Sequence, residues 1–170
     1  GQQLVSHPGV KAVGFTGSIR GGRALYDLAA KREEPIPVFA EMGSVNPVVI
    51  LPEALKNRGE SIAKTYASSI TMGTGQFCTK PGLLLGIKSD SLTKFVSALS
   101  ESILGIEPSS MLHPNIAQAY ESNKATAISQ EGLTVAATYS SEVNPNYAKQ
   151  AIATVDGKIF LENLKIGVKI

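Results

Sequence analysis

The sequence is short of several things, and each shortage narrows its function. Its single cysteine, Cys78, among 170 residues excludes an internal disulfide and a multi-cysteine zinc site. Charge of one sign is scarcely in excess: 16 basic and 14 acidic residues leave a net charge of +2. These charges are spread along the chain and form no basic stripe interleaved with aromatics, so nucleic acid is not an expected partner. Apolar runs are far too short to span a bilayer, and no membrane association is expected. Gly1-Gln2-Gln3 does not resemble a signal peptide, so a reducing cytoplasm is the expected setting. Both histidines, His7 and His113, precede proline. No cluster of His, Cys and carboxylates has ligand spacing, so no metal site is expected. There is no repeat and no low-complexity tract.

What is present suffices for a folded domain. The chain is 43% hydrophobic and 18% charged, an ordinary globular balance at a length that can bury a core. Residues 2–7 read as the end of a helix stopped at His7-Pro8-Gly9. A short strand is expected over 10–15 and a helix over 23–31, with Ala24, Leu25, Leu28 and Ala29 on one face. A polar connector with two prolines, residues 32–37, leads to strands at 38–40 and 45–51. The longest helical pattern covers 53–72, where Leu55, Ile62, Ala63, Tyr66, Ala67 and Ile70 share a face. Further on, the pattern predicts a strand over 83–87 and a helix over 91–104 with Leu92, Phe95, Val96, Leu99 and Ile103 inward. It then predicts a helix over 115–129 with Ile116, Ala119 and Tyr120 in the core, and a strand over 133–139. Residues 145–155, rich in alanine, read as helix, and 158–161 as a late strand. Strands alternating with helices imply an α/β fold with a mostly parallel sheet and helices on both faces.

Three stretches could carry chemistry. Cys78 lies in Gly73-Thr74-Gly75-Gln76-Phe77-Cys78-Thr79-Lys80-Pro81-Gly82, at a helix-to-strand junction between glycines. A thiolate there could act as a nucleophile, although a lone cysteine is equally at home as an inert core residue. Glu41 follows the apolar Val38-Phe39-Ala40 and precedes Gly43; partial burial would raise its pKa towards that of a general base. Alternatively, it is a surface glutamate at a strand end. Thr16-Gly17-Ser18-Ile19-Arg20-Gly21-Gly22 is a glycine-rich strand-to-helix turn whose N–H groups suit a phosphate. It lacks the ending of a P-loop and the spacing of a dinucleotide fingerprint, and Ser18 can equally be an N-cap.

Taken together and in order, these motifs resemble the aldehyde dehydrogenase superfamily. Gly75-Gln76-Phe77-Cys78 resembles its active-site cysteine motif. Phe15-Thr16-Gly17-Ser18, with Gly22 beyond, resembles its cofactor loop, and Phe39-Ala40-Glu41-Met42-Gly43-Ser44 its Glu-Leu-Gly-Gly motif. The run from Pro35 to Pro47 is similar to the 2-oxoglutarate semialdehyde branch of the family. The resemblance implies NAD or NADP as cofactor, held by Phe15, Gly17, Ser18 and Gly43, and a small aldehyde as substrate. It also implies Cys78 as nucleophile, with its backbone N–H as one oxyanion donor, and Glu41 as general base. Residues 1–35 would be the C-terminal part of a nucleotide-binding domain and 36–170 a catalytic domain truncated at its C-terminus, the chain being an internal piece, inactive alone, of a homo-oligomeric protein.

Departures accompany the likeness. Ser44 stands where many members have glycine, and Lys169 falls near the position of a ribose-binding glutamate. The family's second oxyanion donor, an asparagine upstream of the cofactor loop, has no counterpart here, and Asn46 is not it. A cofactor-free cysteine acyltransferase or hydrolase, using Glu41 or a histidine with Cys78, and a non-catalytic assembly fragment are the alternatives.

Overall fold

The fold was analysed in a computed structural model that describes residues 1–163; Lys169 lies outside the described residues. The chain forms two compact units, Gly1–Ser44 and Val45–Ile170. The first comprises α1 (Gln2–Ser6), β1 (Val13–Gly17), α2 (Ile19–Ala30) and β2 (Val38–Met42). β1 and β2 are parallel, with Val13 opposite Val38, Phe15 opposite Ala40, Thr16 opposite Glu41 and Gly17 opposite Met42. This pairing ties 38–42 to the preceding residues, so the compact unit runs past residue 35 to Ser44. Val5, Ala29 and Ile36 are its buried centre, with Val10, Val13, Leu25, Leu28 and Val38 packed around them. The Arg32 guanidinium donates to the carbonyls of Val5 (2.8 Å) and Val10 (2.9 Å), so the polar connector also binds the end of α1 to the approach of β1.

The second unit comprises β3 (Pro47–Ile50), α3 (Pro52–Thr71), a turn at Met72–Gly75, β4 (Leu83–Gly86), α4 (Asp90–Leu104), α5 (Pro114–Ile128), β5 (Leu133–Thr138), β6 (Ala151–Val155) and α6 (Gly157–Glu162). Helix α3 starts on Pro52, whose missing N–H costs nothing in a first turn. Its apolar stripe meets that of α4, burying Leu55, Ala63, Tyr66 and Ala67 against Phe95, Leu99 and Ile103. Ile62, Ile70, Leu92 and Val96 pack at the rim, as the helical spacing predicts. Strand β4 adds to β3 in parallel, Pro47 opposite Leu83, which returns the chain beside the strand that preceded α3. Two parallel pairs alternating with helices make the fold α/β, while β5 and β6 form an antiparallel pair.

Three local expectations are corrected. Residues 151–155 are a strand and not a helix: Ala151, Ala153 and Thr154 take their places opposite β5, and tertiary pairing overrides the helix propensity of alanine. Residues 158–161 lie in α6 and not in a strand, because the Asp156 carboxylate accepts the Lys158 N–H (2.9 Å) and caps a helix. In α5 the phase differs from expectation. Ala117 is buried with Met111 and Ala148, and Tyr120 packs against them, whereas Ile116 is 40% exposed and Ala119 is also exposed.

Candidate active site

Cys78 is exposed at a tight turn. The Lys80 N–H donates to the Phe77 carbonyl (3.0 Å), which makes Phe77-Cys78-Thr79-Lys80 a four-residue turn with Cys78 at its second position. Before it the backbone changes hand: Gly73, Thr74 and Gly75 have φ of 56°, 59° and 69°. Glycine accepts this region freely, but for β-branched Thr74 it is strained. The strain is held by partners, since Thr74 Oγ1 lies 2.8 Å from Ser109 Oγ and donates to the Ser110 carbonyl (3.2 Å). Gln76 Oε1 accepts the Leu112 N–H (3.1 Å), so 74 and 76 both lean on the segment between α4 and α5. That segment is braced in turn: Met111 donates its N–H to the Asn146 carbonyl (2.9 Å), and Asn146 Nδ2 donates to the Met111 carbonyl (3.1 Å).

On the far side of the thiol the turn is tied to the core. Asn46 Nδ2 donates to the carbonyls of Cys78 (2.8 Å) and Lys80 (3.1 Å). The Tyr66 hydroxyl, from α3, donates to the Pro81 carbonyl; burial pushes this phenol up to about 12. Lys80 runs its methylenes past Gly75 and Gly82, and burial lowers its pKa. The sequence pattern does not indicate these contacts. Asn46 reads as part of a strand over 45–51 and Tyr66 as a core residue, and their partners lie 32 and 15 positions away. The signal available was proximity in the fold, which β3–β4 pairing creates.

In the first unit, Phe15, Gly17, Ser18 and Gly43 gather at the carboxyl ends of the parallel strands β1 and β2. Ser18 is the N-cap of α2, its Oγ accepting the Gly21 N–H (3.1 Å). The ring of Phe15 lies directly under the loop, so a methyl group on Gly17 would come 2.8 Å from it. Gly43 bends the chain out of β2 at φ 55° beside Ile19. Of the two readings of Glu41, partly buried or on the surface at a strand end, the second is observed: it is exposed. β2 alternates, turning Val38, Ala40 and Met42 inwards and Phe39 and Glu41 outwards, which sets Glu41 beside Thr16 on the open face. Glu41 and Cys78 belong to different compact units.

His7 and His113 are engaged locally: their Nδ1 atoms accept the N–H groups of Gly9 and Asn115, each at 3.1 Å. Among the described residues no group of three His, Cys, Asp or Glu could hold a metal ion. No helix among them is long and apolar enough to cross a membrane.

The described residues thus hold an exposed thiol on an anchored turn after a helix and, in the other unit, a glycine loop at the carboxyl edge of a parallel strand pair. Comparison with known proteins gives the family. A family model described as the aldehyde dehydrogenase family matches residues 1–136, and the chain belongs to that family. It is 47% identical over 133 residues to an alpha-ketoglutaric semialdehyde dehydrogenase of Acinetobacter baylyi, covering 78% of this chain and 25% of that protein. It is 46% identical, with the same coverage, to alpha-ketoglutaric semialdehyde dehydrogenase 2 of Azospirillum brasilense. The chain thus spans about a quarter of the length of these curated relatives. Solved structures share the fold. Indole-3-acetaldehyde dehydrogenase complexed with NAD+ matches at TM-score 0.79 and 20% identity over 94% of this chain and 34% of that one. Gamma-glutamyl-gamma-aminobutyraldehyde dehydrogenase from Burkholderia cenocepacia matches at 0.74 and 21% over 91% and 33%.

Proposed function

We propose that the protein carrying this chain oxidises an aldehyde to a carboxylate with NAD or NADP, by way of a thioester on Cys78. The observation that carries the reading is the exposed thiol on its anchored turn, inside the stretch that the family model matches. The glycine loop supports nucleotide binding. Ser18 satisfies one N–H of α2, and the remaining first-turn N–H groups have no partner within the helix. They lie at the positive end of the helix dipole and suit a phosphate. A methyl group at Gly17 would meet the Phe15 ring, so glycine keeps the backbone bare at this one position of the loop. Gly17, Ser18 and Gly43 are the residues assigned to hold the dinucleotide, with Phe15 as their floor. Bound there, NAD or NADP supplies the hydride acceptor that side chains cannot provide.

The residues of this chain do the rest. The Cys78 thiolate bonds to the carbonyl carbon and gives a thiohemiacetal whose oxyanion the Cys78 N–H can stabilise. Once the carbon is oxidised, Cys78 holds the acyl group as a thioester. Glu41, whose carboxylate is exposed to water, takes a proton from the water that attacks this thioester, and the thiolate leaves. Two relatives at 46–47% identity are named for alpha-ketoglutaric semialdehyde, so a short aldehyde bearing a carboxylate is the proposed substrate. We place the reaction in the cytoplasm and expect copies of the protein to assemble. Residues 1–35 are proposed as the C-terminal part of the nucleotide-binding domain and 36–170 as catalytic domain.

The test is Cys78→Ser in the complete protein. Nucleotide binding should persist while aldehyde oxidation falls by far more than tenfold, or about 1.4 kcal/mol of barrier. Oxidation kept within tenfold of the wild type, or a wild-type protein that turns over esters but oxidises no aldehyde with NAD or NADP, would overturn the proposal.

A further inference from the structure

The geometry points to Asn46 as the residue that sets the direction of the Cys78 thiol. This positioning role rests on Cys78 being the nucleophile. A carboxamide nitrogen carries two hydrogens, and here both are spent on one turn: Cys78 O at 2.8 Å and Lys80 O at 3.1 Å. The first bond holds the peptide plane between Cys78 and Thr79, and with it ψ of Cys78. The bond from the Lys80 N–H to the Phe77 carbonyl (3.0 Å) closes the same turn from the other side. With the backbone of Cys78 held at both ends, the Cα–Cβ bond has one direction, and χ1 alone decides where Sγ points.

Asn46 is itself well placed to be rigid. It immediately precedes Pro47, the first residue of β3, and proline restricts the backbone of the residue before it. Pro47 pairs with Leu83 of β4, so the strand pair that begins on either side of the thiol turn is also the base from which the amide reaches. The thiol is thus referenced to the β3–β4 pair through a side chain, in addition to its own covalent path through Pro81 and Gly82. The bonds from Asn46 to the carbonyls of Cys78 and Lys80 act on the turn, so the role inferred for it is that of a positioning residue, exerted through Cys78.

Exposure sharpens the expectation. Asn46 and Cys78 are both open to solvent, so water can replace a lost amide as a partner for the carbonyls. Removing Asn46 should therefore leave the fold standing and free the direction of the thiol. Reversing its polarity is a stronger perturbation, because a carboxylate of the same shape would set an acceptor oxygen, in place of the donating Nδ2, against both carbonyl oxygens.

The experiment compares wild type, Asn46→Ala, Asn46→Asp and Asn46→Gln in the complete protein. It measures the alkylation rate of Cys78 by iodoacetamide as a function of pH, read at the Cys78 peptide by mass spectrometry. Aldehyde oxidation and the melting temperature are measured on the same samples. Asn46→Ala should lower the alkylation plateau and kcat by roughly tenfold and leave the pH midpoint, the nucleotide KM and the melting temperature in place. Asn46→Asp should fall further, towards the hundredfold that a misplacement of about 1 Å can cost. Asn46→Gln, which keeps the amide on a longer arm, should lie between wild type and Asn46→Ala.

An unchanged plateau in Asn46→Ala and Asn46→Asp would overturn the inference. So would a moved pH midpoint with an unchanged plateau, which would mean that Asn46 acts on thiolate charge. Losses that track the melting temperature in every variant would make it a structural residue and overturn the inference as well. A wild-type protein that oxidises no aldehyde would refute the proposed function separately, since alkylation reads the thiol without substrate.

Discussion

Replacing Tyr66 by phenylalanine isolates one atom of the structure that joins the core to the thiol turn. The ring is 8% exposed and packs among Ala63, Ala67, Phe95 and Leu99; Tyr66→Phe keeps all of that. It removes only the hydroxyl that donates to the Pro81 carbonyl. A neutral hydrogen bond is worth about 1 kcal/mol net, rising to about 3 if the abandoned acceptor is sealed from water. Pro81 is half-buried, so water can reach its carbonyl and the lower figure applies. Tyr66→Ala, by contrast, would empty the ring's place at about 3–5 kcal/mol, the range for aromatic truncations. Amide hydrogen exchange in β4 of the complete protein is the assay, because it reads local opening without requiring global two-state unfolding. About 1 kcal/mol corresponds to roughly fivefold faster exchange.

The same phenol gives a pH test. Its folded pKa, about 12, lies above the ordinary 10.0 because burial disfavours the phenolate. The stabilising contribution is therefore fully present below about pH 10 and is lost as pH rises through about 12. A difference titration of wild type against Tyr66→Phe isolates this group. Ionisation near pH 10, or β4 exchange in Tyr66→Phe equal either to wild type or to Tyr66→Ala, would refute the account of Tyr66 as a buried tie to the turn.

Other outcomes follow from single contacts. In Glu41→Gln, reduced nucleotide should appear as a burst and turnover should then slow while thioester accumulates, read by rapid mixing and mass spectrometry; loss of the burst would show that Glu41 also activates the thiol. Gly22→Ala would put a methyl group 2.4 Å from Met42 Sδ and 2.7 Å from its Cγ. The helix-propensity gain of about 1 kcal/mol should lose to an overpacking cost of about 1–3 kcal/mol. A Met42→Ala background should remove the penalty, as a melting comparison of the double variant would show.

Helices were legible wherever an apolar stripe had a partner. The α3 and α4 faces read correctly because period and burial agree over twenty and fifteen residues. In α5 the stripe is weak and its buried point is a single small residue, Ala117, so the phase was misread. The exchange of strand and helix across 151–162 has two causes: alanine carries propensity without packing information, and short apolar runs fit either period. At the site, the thiol, the carboxylate and the glycine loop stand out because their residue types are distinctive. Whether Glu41 is buried or exposed stays open in the sequence, since alternation fixes which residues share a face but not which face is covered. Asn46, Thr74 and Gln76 act through partners more than thirty positions away, and nothing local announces such bonds.

The run of opposite-handed backbone at 73–75 has a mechanical consequence. A right-handed helix can grow by winding in the residues that follow it, at 1.5 Å per residue, and growth of α3 by one turn would reel the thiol inwards. Gly73, Thr74 and Gly75 would each first have to cross from positive to negative φ, and Thr74 would have to leave Ser109 and Ser110. The three residues therefore act as a ratchet stop at the end of α3. A displacement along that helix reaches Cys78 as a tilt of the whole turn, with the length of chain between helix and sulfur unchanged.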